Sequence, residues 1–320
     1  MKIYILMKKT LKIIAWLSGI VFILFNIIIA CHTYTITHFY DKKISDTIQP
    51  GNLSKILFGT KQFKKKDIVN TDSSYKIFTI TTKDGIHLNA WEDNPDKPFG
   101  KSYIGTVILF HGFGGNKNSF IEHEAVVFHR LGYKVLMIDF RAHGNSEGIS
   151  STIGINEAKD VKAAYDYVVK QGEKNIVLYG VSMGAASITK AVHDYYLKPS
   201  KIILDMPYAT LYNAIKGYLK IANIPVQPVT PFLLFWASVE NGTWGFNMNP
   251  GEYAKTINCP VLLEWGMKDE RVTETETEFI FKNLDSRNKL MIKYAHSGHE
   301  SLLQKEPEKW TSVITTFLQH

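Results

Sequence analysis

Charged side chains are missing from one long stretch near the N-terminus of this 320-residue chain. Residues 13–40 contain no Asp, Glu, Lys or Arg, and residues 13–30 are almost wholly apolar. About 18 apolar residues approach the length that a helix needs to cross a bilayer core of roughly 30 Å. The run is longer than the roughly 7–15 residues of a typical signal-peptide core, and it has no polar face. We therefore predict a signal-anchor, transmembrane helix within residues 1–40.

The lysines around this segment predict its orientation. Four lysines precede the apolar run and two follow it closely. Because the positive-inside rule counts Lys and Arg, we expect a cytoplasmic N-terminus and an extracytoplasmic domain after the helix. Two alternatives stay open. Residues 28–31, Ile-Ile-Ala-Cys, resemble a lipobox in which Cys31 would become the lipidated N-terminus, and the segment could instead be a cleaved signal or an anchor facing the cytoplasm.

Cysteine is scarce, and metal-binding patterns are missing from the sequence. Cys31 and Cys259 are the only two cysteines, and they stand far apart without the spacing of a metal site. We do not expect a disulfide between them. The sequence also contains neither His-Glu-x-x-His nor a phosphate-binding loop. We therefore predict neither a metal ion nor an organic cofactor.

Net charge is absent from most of the chain. The first 72 residues hold eleven lysines, four aspartates and no arginine, which equals the whole net charge of +7. The remainder is balanced, which argues against nucleic-acid binding. We predict that residues 41–72 form a juxtamembrane linker with a short helix near 53–57. We interpret its basic cluster, 61–66, as a solvated tether, with contact to anionic headgroups as the alternative. No feature indicates a protein partner.

From residue 73 onward, short β-branched runs alternate with longer helical segments. The first two runs flank Lys83-Asp84-Gly85, which is a hairpin signal. Strands are predicted at 75–81, 86–91, 106–110, 134–140, 175–179, 201–204, 260–265 and 289–294, and helices near 119–131, 155–171, 182–196, 274–283 and 307–318. This order predicts one three-layer α/β domain over 73–320 with a mostly parallel eight-stranded sheet.

One segment, about 207–252, interrupts this alternation between the sixth and seventh strands. It is rich in aromatic residues and has prolines at 225, 228 and 231. A connection of this length is uncommon in a compact domain unless it is functional. We predict a partly helical cap.

Ser182 lies in Gly180-Val181-Ser182-Met183-Gly184, between a predicted strand and a predicted helix. A Gly-x-Ser-x-Gly segment alone is weak evidence, but a sharp strand-to-helix turn is where a nucleophilic serine is exposed. The helix N-terminus also directs backbone N–H groups at developing negative charge. We predict that Ser182 is a nucleophile.

Backbone donors for an oxyanion are predicted beside Ser182. His111-Gly112-Phe113-Gly114-Gly115 follows the third predicted strand directly. An oxyanion hole needs two N–H donors on one side of the scissile carbonyl. We expect these donors on Phe113 and Met183.

These motifs resemble the α/β-hydrolase superfamily, in particular its monoacylglycerol-lipase-like and serine-aminopeptidase-like branch, here with a membrane anchor of bacterial type. Further segments that carry the resemblance are 139–146, 265–269 and 297–301, and it covers residues 75–320. In that superfamily the acid and the histidine follow the serine in the chain. The resemblance implies Asp269 as the acid and His299 as the base, with Asp205, Glu270 and His296 as weaker candidates. It implies a structural role for Arg141 and His143.

The resulting hypothesis is a membrane-anchored serine esterase that acts on an acyl, lipid-like or aromatic small molecule. We predict substrate contacts from His111, His296 and the cap residues Tyr208 and Trp236. An aminopeptidase would need cap carboxylates to hold a substrate ammonium, and residues 207–254 contain only Glu240 and Glu252. Peptide or amide cleavage, thioester cleavage, acyl transfer and a non-catalytic binding role remain the alternatives.

Overall fold

The computed structural model describes residues 2–39, 51–58, 65, 74–93, 103–118 and 121–319. Most of the predicted linker, including Lys61, Lys64 and Lys66 of the basic cluster, therefore lies outside the described residues. Helix α2 (Gly51–Phe58) agrees with the short helix predicted there. The Lys65 ammonium donates a hydrogen bond to the Ser146 carbonyl oxygen at 2.7 Å, so this lysine is bound to the domain rather than wholly solvated.

A single sheet of eight strands forms the centre of the molecule, in the order β1-β2-β4-β3-β5-β6-β7-β8. Strand β2 pairs antiparallel with β1 and β4, and the other neighbours are parallel. The predicted mostly parallel sheet is confirmed. The strands are β1 (Tyr75–Thr81), β2 (His87–Asp93), β3 (Thr106–Phe110), β4 (Lys134–Ile138), β5 (Ile176–Val181), β6 (Lys201–Asp205), β7 (Val261–Gly266) and β8 (Lys289–Tyr294).

Helices cover both faces of this sheet, which explains why its central strands are apolar without alternation. Val107 and Leu109 belong to one buried cluster, whereas Ile108 and Phe110 belong to the other. Successive strand residues point to opposite faces, so both faces need apolar side chains. The helices that contribute are α3 (Ile121–Arg130), α4 (Glu157–Lys170), α5 (Met183–Tyr195), α9 (Glu274–Asn283), α10 (Leu302–Lys305) and α11 (Pro307–Gln319).

The predicted cap segment is largely helical. After β6 the chain forms α6 (Leu211–Ile221) and α7 (Val229–Glu240), then a 3₁₀ turn, the short helix α8 (Pro250–Tyr253) and a second 3₁₀ turn before β7. Helix α6 begins with a Thr210 side chain that accepts the Asn213 N–H, a standard N-cap. Helices α6 and α7 pack against each other as a hairpin at the carboxyl end of β5, where Ser182 lies.

An N-terminal helix, α1 (Lys2–Thr37), extends the predicted apolar run at both ends to 36 residues. Among the described residues, it is the one helix long and apolar enough to cross a membrane. Residues 4–24 are exposed, whereas residues 25–39, except Ile27, are partly or fully buried against the rest of the domain. Trp236 Nε1 of α7 donates to Asn26 Oδ1 at 3.2 Å, and the Ser151 N–H donates to the Thr37 carbonyl at 2.9 Å.

Candidate active site

Ser182 sits on a sharp turn between β5 and α5. Its φ is +52° and its ψ is −110°, a conformation that a non-glycine residue rarely adopts. A Cβ on Gly184 would lie 2.3 Å from the Phe110 carbonyl oxygen, and one on Gly180 would lie 2.7 Å from the Ala185 nitrogen. Both glycines are therefore required for the strand and the helix to meet this closely.

Three side chains from different loops form a hydrogen-bonded relay. Ser182 Oγ lies 2.9 Å from His299 Nε2, and His299 Nδ1 lies 2.7 Å from Asp269 Oδ2. A carboxylate can only accept, so Nδ1 carries the proton and Nε2 is left to accept from the serine. The relay can therefore remove the Ser182 proton when its oxygen attacks.

Asp269 is held in place by the backbone of its own loop. Its Oδ1 accepts the N–H groups of Arg271 at 2.7 Å and Val272 at 2.9 Å, and its side chain is fully buried. The loop of His299 packs against this loop, because a Cβ on Gly266 would lie 2.5 Å from the Ser297 carbonyl oxygen. These contacts fix the carboxylate and the imidazole relative to each other.

The weaker candidates for the acid lie elsewhere. Asp205 Oδ2 accepts from the Tyr179 hydroxyl at 2.7 Å, while the Asp205 carbonyl oxygen accepts the Ser182 N–H at 2.7 Å. Burial raises the pKa of Asp205 to about 6. Glu270 is exposed. The structure thus brings Asp269, and not these two residues, to His299.

The loop that follows β3 is tied to the turn that follows β4. His111 Nε2 accepts the Phe140 N–H at 3.0 Å, and His143 Nε2 accepts the Gly114 N–H at 3.1 Å. Both imidazoles must be neutral to accept in this way, and burial lowers the pKa of each, to about 4 for His111. This gives His143 the structural role that the resemblance implied.

Phe113 and Met183, the predicted oxyanion donors, both border the cavity that contains Ser182. Met183 is the first residue of α5, and the first N–H groups of a helix have no partner within it. Phe113 follows Gly112, whose Cα lies close enough to Ser182 that an added Cβ would be 3.6 Å from the serine Cβ. Both predicted donor residues therefore lie beside Ser182 at the cavity.

The cavity beside Ser182 has a volume of about 290 Å³, near the lower end of typical ligand pockets. Its lining is mainly apolar, and Arg271 is the one Asp, Glu, Lys or Arg residue among the described residues that border it. The cap contributes both α6 and α7. Helix α1 contributes Ile36 and Thr37.

Of the four predicted substrate contacts, only Tyr208 borders this cavity, and its hydroxyl donates to the Ile153 carbonyl. His111 is fully buried beneath the loop that it holds. Trp236 faces α1, and His296 is exposed, with its backbone N–H donating to Glu306 Oε1. The structure therefore does not bring these three residues to the cavity.

Most of the lining residues were not named from the sequence, and two groups of them are informative. Arg271 stands two positions after Asp269, and a search of that loop could have found it. Ile36 and Thr37 could not have been found in this way, because the sequence of an apolar helix does not show which side chains meet lipid and which meet protein.

Comparison with known proteins supports a relation to hydrolases. Residues 101–242 match the family model described as “Serine aminopeptidase, S33”. The chain is 22% identical to the uncharacterized membrane protein YNL320W of Saccharomyces cerevisiae over 245 residues, 76% of this chain and 79% of that protein. It is 32% identical to the uncharacterized protein YfhR of Salmonella typhi over 127 residues, 38% of this chain and 42% of that protein.

A relative with a described activity and a solved structure also match. The chain is 22% identical to the lysophosphatidylserine lipase ABHD12 of Danio rerio over 217 residues, 58% of this chain and only 52% of that protein. The structure of the Pyrococcus furiosus esterase Pf2001 superposes with a TM-score of 0.66 at 25% identity, covering 80% of this chain and 96% of that one.

Proposed function

This chain has the α/β-hydrolase fold, and we propose that it is a serine hydrolase that cleaves a carboxylic ester through an acyl-enzyme intermediate. The observation that carries the proposal is the relay from Ser182 through His299 to Asp269, which opens on a mainly apolar cavity. A largely apolar wall suits the acyl chain of an ester.

In the proposed reaction, Ser182 Oγ attacks the ester carbonyl while His299 Nε2 takes its proton. The N–H groups of Phe113 and Met183 stabilise the oxyanion, and Asp269 stabilises the imidazolium. The imidazolium then protonates the departing alcohol oxygen as the ester C–O bond breaks, which leaves an acyl group on Ser182. Water, deprotonated by the same imidazole, attacks this acyl group and releases the acid.

The charge around the cavity favours an ester over an aminoacyl amide. An aminopeptidase needs an anion for the substrate ammonium, yet no carboxylate borders the cavity among the described residues. Burial raises the pKa of Glu240 in the cap to about 8, so this residue is largely uncharged at neutral pH. Glu252 is exposed and pairs with Lys255. The same relay would also support amide or thioester cleavage, so the reaction class must be tested with different substrates.

A series of p-nitrophenyl esters of increasing chain length, set against aminoacyl anilides, tests the reaction class. We expect the esters to be hydrolysed and the anilides to be left intact. Preferential cleavage of the anilides by the wild type, lost in Ser182→Ala, would contradict the ester proposal and establish a peptidase.

We also propose that α1 is retained as a membrane anchor, with its N-terminus in the cytoplasm. Removal of the chain before Cys31 would take away Ile29, which is almost fully buried, and the Phe25 and Asn26 contacts with the cap. The name of the yeast relative supports membrane association. Mass spectrometry of the mature protein should find the N-terminal residues 2–30 intact, whereas a lipid-modified Cys31 at the N-terminus would contradict retention.

A further inference from the structure

The cap hairpin runs alongside the N-terminal helix. Phe232 of α7 packs edge-on against Phe22 and Phe25 of α1, with ring centroids 6.0 Å and 5.1 Å apart. One turn later, Trp236 bonds to Asn26. Because residue numbers increase together along both helices, α7 lies parallel to α1, and the start of α7 lies towards the N-terminal half of α1.

That part of α1 is the part suited to lipid. Residues 4–24 are exposed, and 21 residues of helix rise about 32 Å, close to the roughly 30 Å of a bilayer core. Pro228 and Phe232 border a groove with α1 residues between 14 and 25. If the exposed segment crosses the bilayer, the beginning of α7 lies at a depth that lipid acyl chains occupy.

The outer surface of the hairpin has the composition that such a position requires. Residues 221–239, from the end of α6 through α7, contain no Asp, Glu, Lys or Arg. Ile221, Phe235 and Val239 are 41%, 42% and 53% exposed on this surface. In a soluble protein a helix of this kind is buried on all sides. The adjacent exposed face of α1 continues the same apolar surface, which identifies lipid as its partner.

The inner surface of the same hairpin lines the cavity. Leu233 and Leu234 of α7 and Ile215 of α6 border it, together with Ile36 from the end of α1. Helices α6 and α7 therefore present apolar residues both to the outside and to the cavity beside Ser182. Helix α1 borders the outer surface and the cavity as well.

We propose that the α6–α7 hairpin is embedded in the membrane leaflet on the side of the hydrolase domain, and that the enzyme takes its ester from the bilayer. The substrate would be an amphiphile whose acyl chain enters the cavity between α6, α7 and the end of α1. The substrate part of this inference rests on the proposed esterase function, whereas the position of the hairpin does not.

A fluorescent label tests the position of the hairpin in the full-length protein. In a Cys31→Ser, Cys259→Ser background, an environment-sensitive dye is attached through Phe235→Cys, and the protein is reconstituted in phosphatidylcholine vesicles. Val169→Cys is the matched control, because Val169 is 46% exposed at the end of α4, near the opposite ends of the strands. We expect quenchers on the lipid acyl chains to quench the dye at 235 and leave the dye at 169 unaffected.

Quenching of the dye at 235 by aqueous iodide, with no effect of the lipid quenchers, would overturn the proposal. A dye shielded from both quenchers would also overturn it, because that result would indicate a second copy of the chain or another protein on this face.

An activity comparison tests the route of the substrate. Ile221→Glu places a charge at the end of α6, beside the start of α7, without touching the cavity lining, and Val169→Glu is its control. We expect Ile221→Glu to lower hydrolysis of a long-chain ester held in vesicles about tenfold, because a charge in the bilayer is costly. Hydrolysis of soluble p-nitrophenyl butyrate should stay unchanged, which also shows that the variant folds.

Equal rates of Ile221→Glu and wild type on the vesicle-held ester would contradict uptake from the bilayer. If the wild type hydrolyses neither ester, the esterase proposal fails instead, and the quenching experiment still decides where the hairpin lies.

Discussion

At the scale of the residue, the partners of His299 decide which carboxylate serves the relay. Asp269 Oδ2 lies 2.7 Å from His299 Nδ1, whereas Asp205 is buried and accepts a hydrogen bond from the Tyr179 hydroxyl. We expect Asp269→Asn to lower kcat by roughly 10,000-fold, because an amide no longer fixes the Nδ1–H tautomer or stabilises the imidazolium. Asp205→Asn is the matched control and should retain most activity. Steady-state ester hydrolysis checks both, and the reverse ranking would mean that the acid is misassigned.

Gly184 allows the turn at Ser182 to form because it has no side chain. A methyl group there would lie 2.3 Å from the Phe110 carbonyl oxygen, a backbone atom that cannot swing aside. We expect Gly184→Ala to lower the free energy of unfolding by more than about 3 kcal/mol or to prevent folding. Gly19→Ala, where an added Cβ meets nothing within 4 Å, should not lower it, because alanine is the better helix former. Chemical unfolding in detergent measures the difference, and equal stability would show that the turn relaxes.

At the scale of the element, the loop after β3 depends on neutral imidazoles. Burial lowers the pKa of His111 from 6.5 to about 4. Between these values the unfolded chain binds a proton that the folded chain does not, so stability falls as the pH decreases through this window. The loss for this group is on the order of 3 kcal/mol.

His111→Asn removes this contribution to the pH dependence of folding. We expect the variant to be less stable than the wild type at neutral pH but to lose less stability on acidification. The control is His123→Asn, since His123 is exposed on α3. Thermal melts across the pH range measure both slopes, and identical slopes for wild type and His111→Asn would contradict a neutral, buried His111.

The elements themselves were accessible from the sequence for a physical reason. Continuous apolar runs separated by helical segments indicate a parallel sheet that is covered on both faces. The two glycines around Ser182 indicate the sharp turn between strand and helix. The acid and the histidine came from the family resemblance and not from periodicity. The predicted substrate contacts His111, Trp236 and His296 do not border the cavity. The sequence shows neither that backbone groups hold His111 beneath its loop nor that Trp236 faces α1.

At the scale of the whole molecule, α1 is both a candidate anchor and part of the domain. A protein without residues 1–24 keeps Ile36, Thr37 and the Asn26 contact, whereas one without residues 1–39 loses the cavity wall and uncovers Phe232 and Trp236. We expect the shorter deletion to melt at nearly the same temperature as the full-length protein in detergent. The longer deletion should melt lower and lose activity on long-chain esters first. Indistinguishable deletions would show that the end of α1 contributes nothing to the cavity.

The central claim is that Ser182 is an activated nucleophile. Treatment with an alkyl fluorophosphonate followed by peptide mass spectrometry tests it most directly. The reagent reacts with a serine that is activated by a base beside an oxyanion hole, and the experiment can be done without knowing the substrate. We predict one adduct on Ser182 in the wild type, none in Ser182→Ala, and strongly reduced labelling in His299→Gln. A folded wild type that stays unlabelled, or that is labelled at another residue, would contradict the account.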